Sequence, residues 1–133
     1  MRTIVTFIGV WFVASLVNGI LSGICISVGD SGMFANPAGT IFLACICSFL
    51  FSIPLVGIVW LTAVIAQSSG KSGHALFQVV LLTAFIAGIA GALFFNSAFG
   101  NEFKGAGYVT GLCIIISATG AVLAFRKRLI AED

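Results

Sequence analysis

The sequence contains very little charge. Ten of its 133 residues are charged (8%), whereas hydrophobic residues make up 60% and the mean hydropathy is +1.22. A soluble domain carries about 25% charged residues, and a disordered chain combines low hydrophobicity with high charge. Both classes are therefore excluded. The composition indicates an integral membrane protein, for which the lipid bilayer is an expected partner.

Charged side chains are also absent from the long apolar runs. Pumps, proton relays and ion-coupled transporters keep such residues in the membrane, although one costs roughly 2.5–3.5 kcal/mol on insertion scales. Their absence argues against a proton-coupled antiporter. The chain has one histidine, His74, which is too few for a bis-histidine haem or a typical zinc site. We expect no cofactor, no nucleic-acid partner and no enzymatic activity.

Four apolar runs are long enough to cross a bilayer as helices, which takes roughly 20 residues each. They cover residues 3–28, 40–67, 75–95 and 108–125. The runs are continuously apolar rather than alternating, which favours helices over a barrel. The remaining residues are too few for a soluble domain. We therefore expect an all-α membrane protein with a single transmembrane domain, residues 1–133, folded as an antiparallel left-handed four-helix bundle.

The positions of the charges predict an orientation. Five of the six basic residues fall on one side of the predicted helices: Arg2, Lys71, Arg126, Lys127 and Arg128. Only Lys104 falls on the other side, together with Asp30 and Glu102. Because basic residues mark the cytoplasmic side, we expect both termini to be cytoplasmic in a plasma membrane. The run from Arg126 to Arg128 is interpreted as an inner-leaflet anchor, at roughly 1 kcal/mol per basic residue.

Small and weakly polar residues recur along each predicted helix at spacings of three and four. The first helix carries Trp11, Ser15, Asn18, Ser22 and Cys25, with Gly19 and Gly23 beside them; the second carries Cys45, Ser48 and Ser52; the third carries Ala84, Gly88 and Ala92; the fourth carries Thr110, Cys113, Ser117, Gly120 and Ala124. Small and hydrogen-bonding residues mark helix contacts in membranes. We interpret these stripes as packing faces, with a narrow polar path as the alternative.

Two further features bear on the bundle. Pro54 lies near the centre of the second helix, where it removes the hydrogen bond to the Leu50 carbonyl and should kink or loosen that turn. A shift of 68 residues places Gly23 on Gly91 and other residues of the first hairpin on the second. This weak similarity predicts two parallel-repeat hairpins related by an axis along the membrane normal.

The four cysteines all fall in the predicted outer half of the membrane. They are Cys25, Cys45, Cys47 and Cys113. Cysteine is an ordinary small hydrophobe in helices, and we favour inert packing. A disulfide between Cys25 and Cys45 is the first alternative. A thiol redox or soft-metal site is the second, because thiolates favour ions such as Cu(I).

These observations leave three hypotheses for function. The favoured one is a non-enzymatic bundle that acts through helix contacts, as a homo-oligomer or as a subunit of a larger membrane complex. The second is a small channel or facilitator with Pro54 as a hinge, whose path is lined by Ser15, Asn18, Ser22, Ser48, Ser52 and Ser117. The third is an outer-leaflet thiol protein that uses the cysteines. The sequence itself names neither a partner nor a small-molecule or ion substrate.

Overall fold

The computed structural model describes residues 2–29, 36–99 and 106–131. Four long helices and one short helix make up nearly all of this part of the chain: α1 (Arg2–Gly29), α2 (Pro37–Ser68), α3 (Gly73–Phe99), α4 (Ala106–Ala124) and α5 (Arg126–Ile130). The first four are long and apolar enough to cross a membrane. The expectation of four packed apolar helices is confirmed. Asp30, Glu102 and Lys104, predicted for the outer loops, lie outside the described residues.

The helix ends differ from the apolar runs for local reasons. α2 begins at Pro37, before the predicted start, because the Asn36 side chain caps the helix by accepting from the Ala38 backbone N–H at 3.2 Å. Proline suits this first position, since it has no N–H to leave unpaired. The turn between α2 and α3 contains Gly70, and Gly73 begins α3; their φ angles of 77° and 55° favour glycine.

The four long helices pack as a ring. α1 contacts α2 and α4, and α3 also contacts α2 and α4, whereas the diagonal pairs make no close approach among the described residues. Each helix therefore has two neighbours and faces a third helix across the centre of the ring. The width of that centre depends on the size of the side chains that point into it.

α1 and α2 approach each other very closely. A Cβ atom on Gly19 would lie 2.5 Å from the Cα of Cys45, and one on Gly23 would lie 2.6 Å from the Cα of Ile41. No side chain fits at either distance, so these glycines permit the contact between the two backbones. The glycine pair noted in the sequence thus forms a contact between two helices of the same chain.

The two hairpins pair in different registers. Gly23 lies against Ile41 in the first hairpin, and under the 68-residue shift this contact would correspond to Gly91 against Val109. Instead, a Cβ on Gly91 would lie 3.5 Å from the side chain of Ile114. The internal repeat gains no support from these contacts and stays a prediction.

Tightly buried apolar side chains gather in one half of the bundle, which we call the closed half. Its members are Phe7, Val10, Ala14, Val59, Ala63, Ala66, Leu76, Phe77, Val80, Ala84, Ala87, Ala121, Val122 and Leu129. α5 belongs to this half: Leu129 is buried, and the Arg126 guanidinium lies 5.6 Å from the centre of the Phe77 ring. The predicted basic anchor is therefore part of a helix that packs back onto the bundle. We call the remaining parts of the four long helices the open half.

Candidate functional site

Polar side chains of α1 and α2 meet in a set of hydrogen bonds. Trp11 Nε1 donates to Ser52 Oγ at 2.8 Å, and the hydroxyls of Ser15 and Ser52 are 2.7 Å apart. Asn18 Nδ2 donates to Ser48 Oγ at 2.9 Å. The structure therefore brings together the stripes that the sequence indicates on the first two helices. Interhelical hydrogen bonds of this kind typically contribute to helix association in membranes.

The same polar group extends to α4 through Ser22. The Ser22 hydroxyl donates to Asn18 Oδ1 at 3.2 Å. The thiol of Cys113 on α4 lies in the neighbourhood of Ser22 and Cys25. We call the hydrogen-bonded set Trp11, Ser15, Asn18, Ser22, Ser48 and Ser52 the polar seam. Its hydrogen bonds are made within the protein, so the seam can be buried at little cost.

The four cysteines are free thiols. Cys45 packs on Gly19, whose Cβ position lies 2.6 Å from the Cys45 sulfur. Cys25 lies six residues farther along α1, about 9 Å at 1.5 Å per residue, and meets Cys113 instead. The structure thus has no disulfide between Cys25 and Cys45, the pair that the sequence offered as an alternative to inert packing. Cys47 is exposed, and the described residues contain no cluster of three potential metal ligands.

A cavity of about 630 Å³ lies between the four long helices. The predicted path residues are among its lining: Ser15, Asn18, Ser22, Ser48, Ser52, Pro54, Gly88 and Ser117. Alanine, glycine, valine, leucine, isoleucine and phenylalanine supply most of the rest. One wall is therefore a hydrogen-bonded polar seam, and the others are almost wholly apolar.

The cavity opens to one side, between α2 and α3. Its exposed lining residues all belong to these two helices: Leu43, Cys47, Phe51, Pro54, Ala90 and Phe94. The lining residues contributed by α1 and α4 are buried or half-buried. α1 and α4 thus form the back of the cavity. If the helices cross a membrane, the opening faces the hydrocarbon.

The cavity is long and changes in polarity along its length. Its α2 lining extends from Thr40 to Val59, about 28 Å at 1.5 Å per residue. At the closed half its lining is apolar and includes Phe7, Val59 and Val122. Near the start of α4 it includes Thr110. The two ends of the cavity therefore offer different chemistry to an elongated molecule.

Thr110 is the unusual residue of the lining. It is 3% exposed, and its Oγ1 has no hydrogen-bond partner in the described part of the chain. Ser117, farther along α4, donates to the Ile114 carbonyl at 3.0 Å. The sequence places both residues on one stripe, but Thr110 was not singled out as a functional residue, because helical spacing does not show which hydroxyl finds a partner.

Other predicted residues lie away from the cavity. Gly19 and Gly23 form the contact between α1 and α2. A Cβ on Gly120 would have nothing within 4 Å among the described residues, so this glycine does not mark a helix contact there. The basic residues 126–128 belong to α5.

No family model, no curated protein and no solved structure matches this chain. Its function is therefore argued from the cavity, its opening and its lining residues.

Proposed function

We propose that this chain is a non-enzymatic membrane protein that takes a lipid-like molecule from the bilayer into the cavity between its helices. The observation that carries the proposal is the cavity itself: about 630 Å³, mostly apolar, and open between α2 and α3. Small-molecule sites commonly have volumes of roughly 300–1,000 Å³ and mainly apolar walls. A molecule dissolved in the membrane has direct access to such an opening.

The lining favours an apolar occupant over an ion. Ion pathways replace the hydration shell with rings of carbonyl oxygens or charged side chains. None of the described lining residues is charged at neutral pH, and the seam hydroxyls of Ser15, Ser48 and Ser52 are engaged with neighbours. The Ser and Asn side chains that the sequence suggested as a path are therefore better interpreted as one wall of a binding site.

Membrane placement forms part of the proposal. The contacts of Gly19 with Cys45 and of Gly23 with Ile41 support an antiparallel order of α1 and α2. The stripe spacing supports a left-handed bundle, and the basic residues support cytoplasmic termini in a plasma membrane. In this placement the closed half lies toward the cytoplasm. Thr110 lies toward the outer leaflet.

Action through helix contacts is the second candidate. In the most apolar part of α2 only 6% of the residues are buried, against 28–39% for the other long helices. The outward face of α2 is thus the surface that a second copy would cover. The glycines Gly19 and Gly23 are already used inside the chain, which leaves this candidate the weaker of the two.

Photolabelling tests the binding proposal. The full chain is placed in phosphatidylcholine vesicles that contain a phosphatidylcholine with a diazirine on its acyl chain, and labelled residues are mapped by mass spectrometry. We expect labels on buried cavity residues of the back wall, such as Val10 and Val122, as well as on outward faces. Labels confined to the outward faces would contradict the proposal.

A pair of variants on α3 provides the control. Ala90 lies at the opening and Ala75 lies off the cavity, and both are exposed. Ala90→Phe should lower labelling of the back wall severalfold, whereas Ala75→Phe should leave it unchanged. Chemical crosslinking in the same vesicles tests the second candidate, which requires a dimer joined through α2.

A further inference from the structure

The opening of the cavity lies in one half of the α2–α3 pair. α2 ends at Ser68 and α3 begins at Gly73, so the turn between them marks one end of the pair. The exposed lining residues lie away from this turn, and we call them the slot: Leu43, Cys47, Phe51 and Pro54 on α2, and Ala90 and Phe94 on α3. Even Pro54 and Ala90, the members nearest the turn, are roughly 21 and 26 Å along their helices from the ends that the turn joins.

Side-chain packing ends the slot near the middle of the two helices. A Cβ on Gly91 would lie 2.8 Å from Cδ1 of Leu55, which brings α3 against α2 directly beside Pro54 and Ala90. Between this contact and the turn, both helices contribute buried side chains to the closed half: Val59 and Ala63 on α2, and Leu76 and Val80 on α3. The cavity is therefore open between α2 and α3 on one side of Leu55 and closed on the other.

The slot has about the length of one leaflet. Leu43 and Pro54 are eleven residues apart, about 16 Å along α2. The hydrocarbon core of a bilayer is roughly 30 Å thick, so each leaflet contributes roughly 15 Å. Pro54 lies near the centre of the apolar run 40–67, where the two leaflets meet if α2 crosses a membrane. The slot then borders the chains of one leaflet, and the closed half borders those of the other.

The lining suits a lipid chain and not a phospholipid headgroup. None of the described lining residues is charged at neutral pH, and a phosphate buried without a cationic partner is costly. The most polar lining side chain, Asn18, is already engaged by Ser48 and Ser22. A phospholipid can therefore place its chain in the cavity through the slot while its headgroup stays in the interface.

Building on the proposed function, we propose that the cavity takes up the acyl chain of a lipid from one leaflet only, the leaflet that borders the slot. The headgroup of that lipid stays at the membrane surface. In the placement proposed above, this is the outer leaflet. Lipids of the opposite leaflet are held back, because their chains meet packed side chains of the closed half such as Val59 and Val80 instead of an opening.

Photolabelling from a single leaflet tests this proposal. The full chain, with a protease-cleavable affinity tag after its C-terminus, is placed in phosphatidylcholine vesicles. A phosphatidylcholine with a diazirine at the end of its acyl chain is then exchanged into the external leaflet with cyclodextrin. Protease added outside removes the tag from molecules whose C-terminus faces outward, so the tag separates the two orientations after irradiation. Back-extraction with cyclodextrin verifies that the unreacted probe is still external.

The two orientations should be labelled differently. α5 places the C-terminal end of the chain at the closed half, so molecules that keep the tag present the slot to the external leaflet. We expect the probe to label Asn18 and Ile114, half-buried lining residues of α1 and α4, severalfold more in these molecules than in those that lose the tag. Probe restricted to the internal leaflet should give the reverse preference.

Variants of the slot assign the route of entry. Ala90→Phe places a large side chain in the slot and should lower labelling of Asn18 and Ile114 severalfold in molecules that keep the tag. Ala75→Phe, at an exposed position off the cavity, should leave it unchanged. Cys47→Phe obstructs the slot from α2 and serves as a second variant.

The outcomes separate the two proposals. Equal labelling of Asn18 and Ile114 in the two orientations would overturn the selection of one leaflet while leaving the binding function intact. Stronger labelling of the molecules that lose the tag would overturn it as well. A preference that Ala90→Phe and Cys47→Phe both leave unchanged would show that the slot is not the entrance. If the probe reaches neither residue in either orientation, the binding function itself fails.

Discussion

The closed and open halves of the bundle are formed by the same four helices, but they differ in how tightly side chains fill the space between those helices. In the closed half, large side chains such as Leu76, Phe77 and Val80 fill the centre of the ring and are almost fully buried. In the open half, small residues such as Gly88 and Ser117 line the cavity, which extends into the closed half as far as Phe7 and Val122. Small side chains such as these leave room between the helices that larger side chains would fill.

This difference has an energetic reason. In a bilayer, burial from water does not drive helices together, and packing contacts and hydrogen bonds do so instead. The closed half supplies the packing. The open half lacks it and relies on the polar seam and on the close contact at Gly19 and Gly23. One half is therefore positioned to hold the bundle together while the other keeps a space open.

The strongest way to break the comparison is to separate α1 from α2 in the open half. Gly19→Leu places a side chain where the Cβ alone would already lie 2.5 Å from the Cα of Cys45. Since backbone cannot give way as a side-chain end can, we expect most folded protein to be lost. Thermal unfolding and size-exclusion chromatography in detergent measure this.

Gly57 provides the matched control for this substitution. A Cβ there has nothing within 4 Å, so Gly57→Leu on α2 should fold as the parent does. Equal recovery of folded protein from Gly19→Leu and Gly57→Leu would show that the close α1–α2 contact is not required.

The second largest effect is expected in the closed half. Leu76 is 1% exposed, and Leu76→Ala should lower the free energy of unfolding by about 2 kcal/mol, the low end for buried leucines, because transfer from water contributes little in a bilayer. Leu43 lines the cavity and is 48% exposed, so Leu43→Ala should cost less than about 0.5 kcal/mol. Reversible unfolding in mixed micelles checks both. Similar losses would mean that the two halves are packed alike.

Helical spacing in the sequence was sufficient to identify the polar seam. It placed Ser15 and Asn18 on one face of α1, and Ser48 and Ser52 on one face of α2, which meet as hydrogen-bonded partners. Spacing defines a face and not the distance between helices. For that reason neither the cavity nor the unpaired hydroxyl of Thr110 was predicted.

Helical spacing also does not show which neighbouring helix a face contacts. Each helix in a ring has two neighbours, and a single stripe can contact both. Trp11 at one end of the α1 stripe contacts α2, whereas Cys25 at the other end meets Cys113 on α4. The alternative of a disulfide between Cys25 and Cys45 assumed one neighbour for the whole stripe. The short helix α5 was not predicted, because the basic run 126–128 indicates a membrane anchor and a single buried residue, Leu129, leaves no pattern in the sequence.

A smaller effect is expected from the polar seam. Asn18→Leu removes the bonds to Ser48 and Ser22 and should lower the free energy of unfolding by about 1 kcal/mol, as interhelical hydrogen bonds in membranes give roughly 0.6–1.7 kcal/mol. A double-mutant cycle of Asn18→Leu with Ser48→Ala should show coupling. The same cycle with Ser117→Ala should show none. Additive effects at Asn18 and Ser48 would mean that the seam does not join the helices.

The mildest change to the sequence leaves one pair of cysteines for a crosslink, which tests how well the open half keeps its geometry rather than how stable it is. One variant retains Cys25 and Cys113, and the other retains Cys25 and Cys45; serine replaces the remaining cysteines. Copper phenanthroline accepts the two electrons released when two thiols form a disulfide, and mass spectrometry of digested protein measures the product.

Crosslinking should be fast for Cys25 with Cys113, whose side chains are neighbours. It should be slow for Cys25 with Cys45, since disulfides require Cβ atoms about 3.5–4.5 Å apart and Cys45 lies beside Gly19, about 9 Å along α1 from Cys25. Comparable rates for the two pairs would mean that α1 slides or rotates within the open half. The polar seam would then be too loose to hold a cavity of fixed shape.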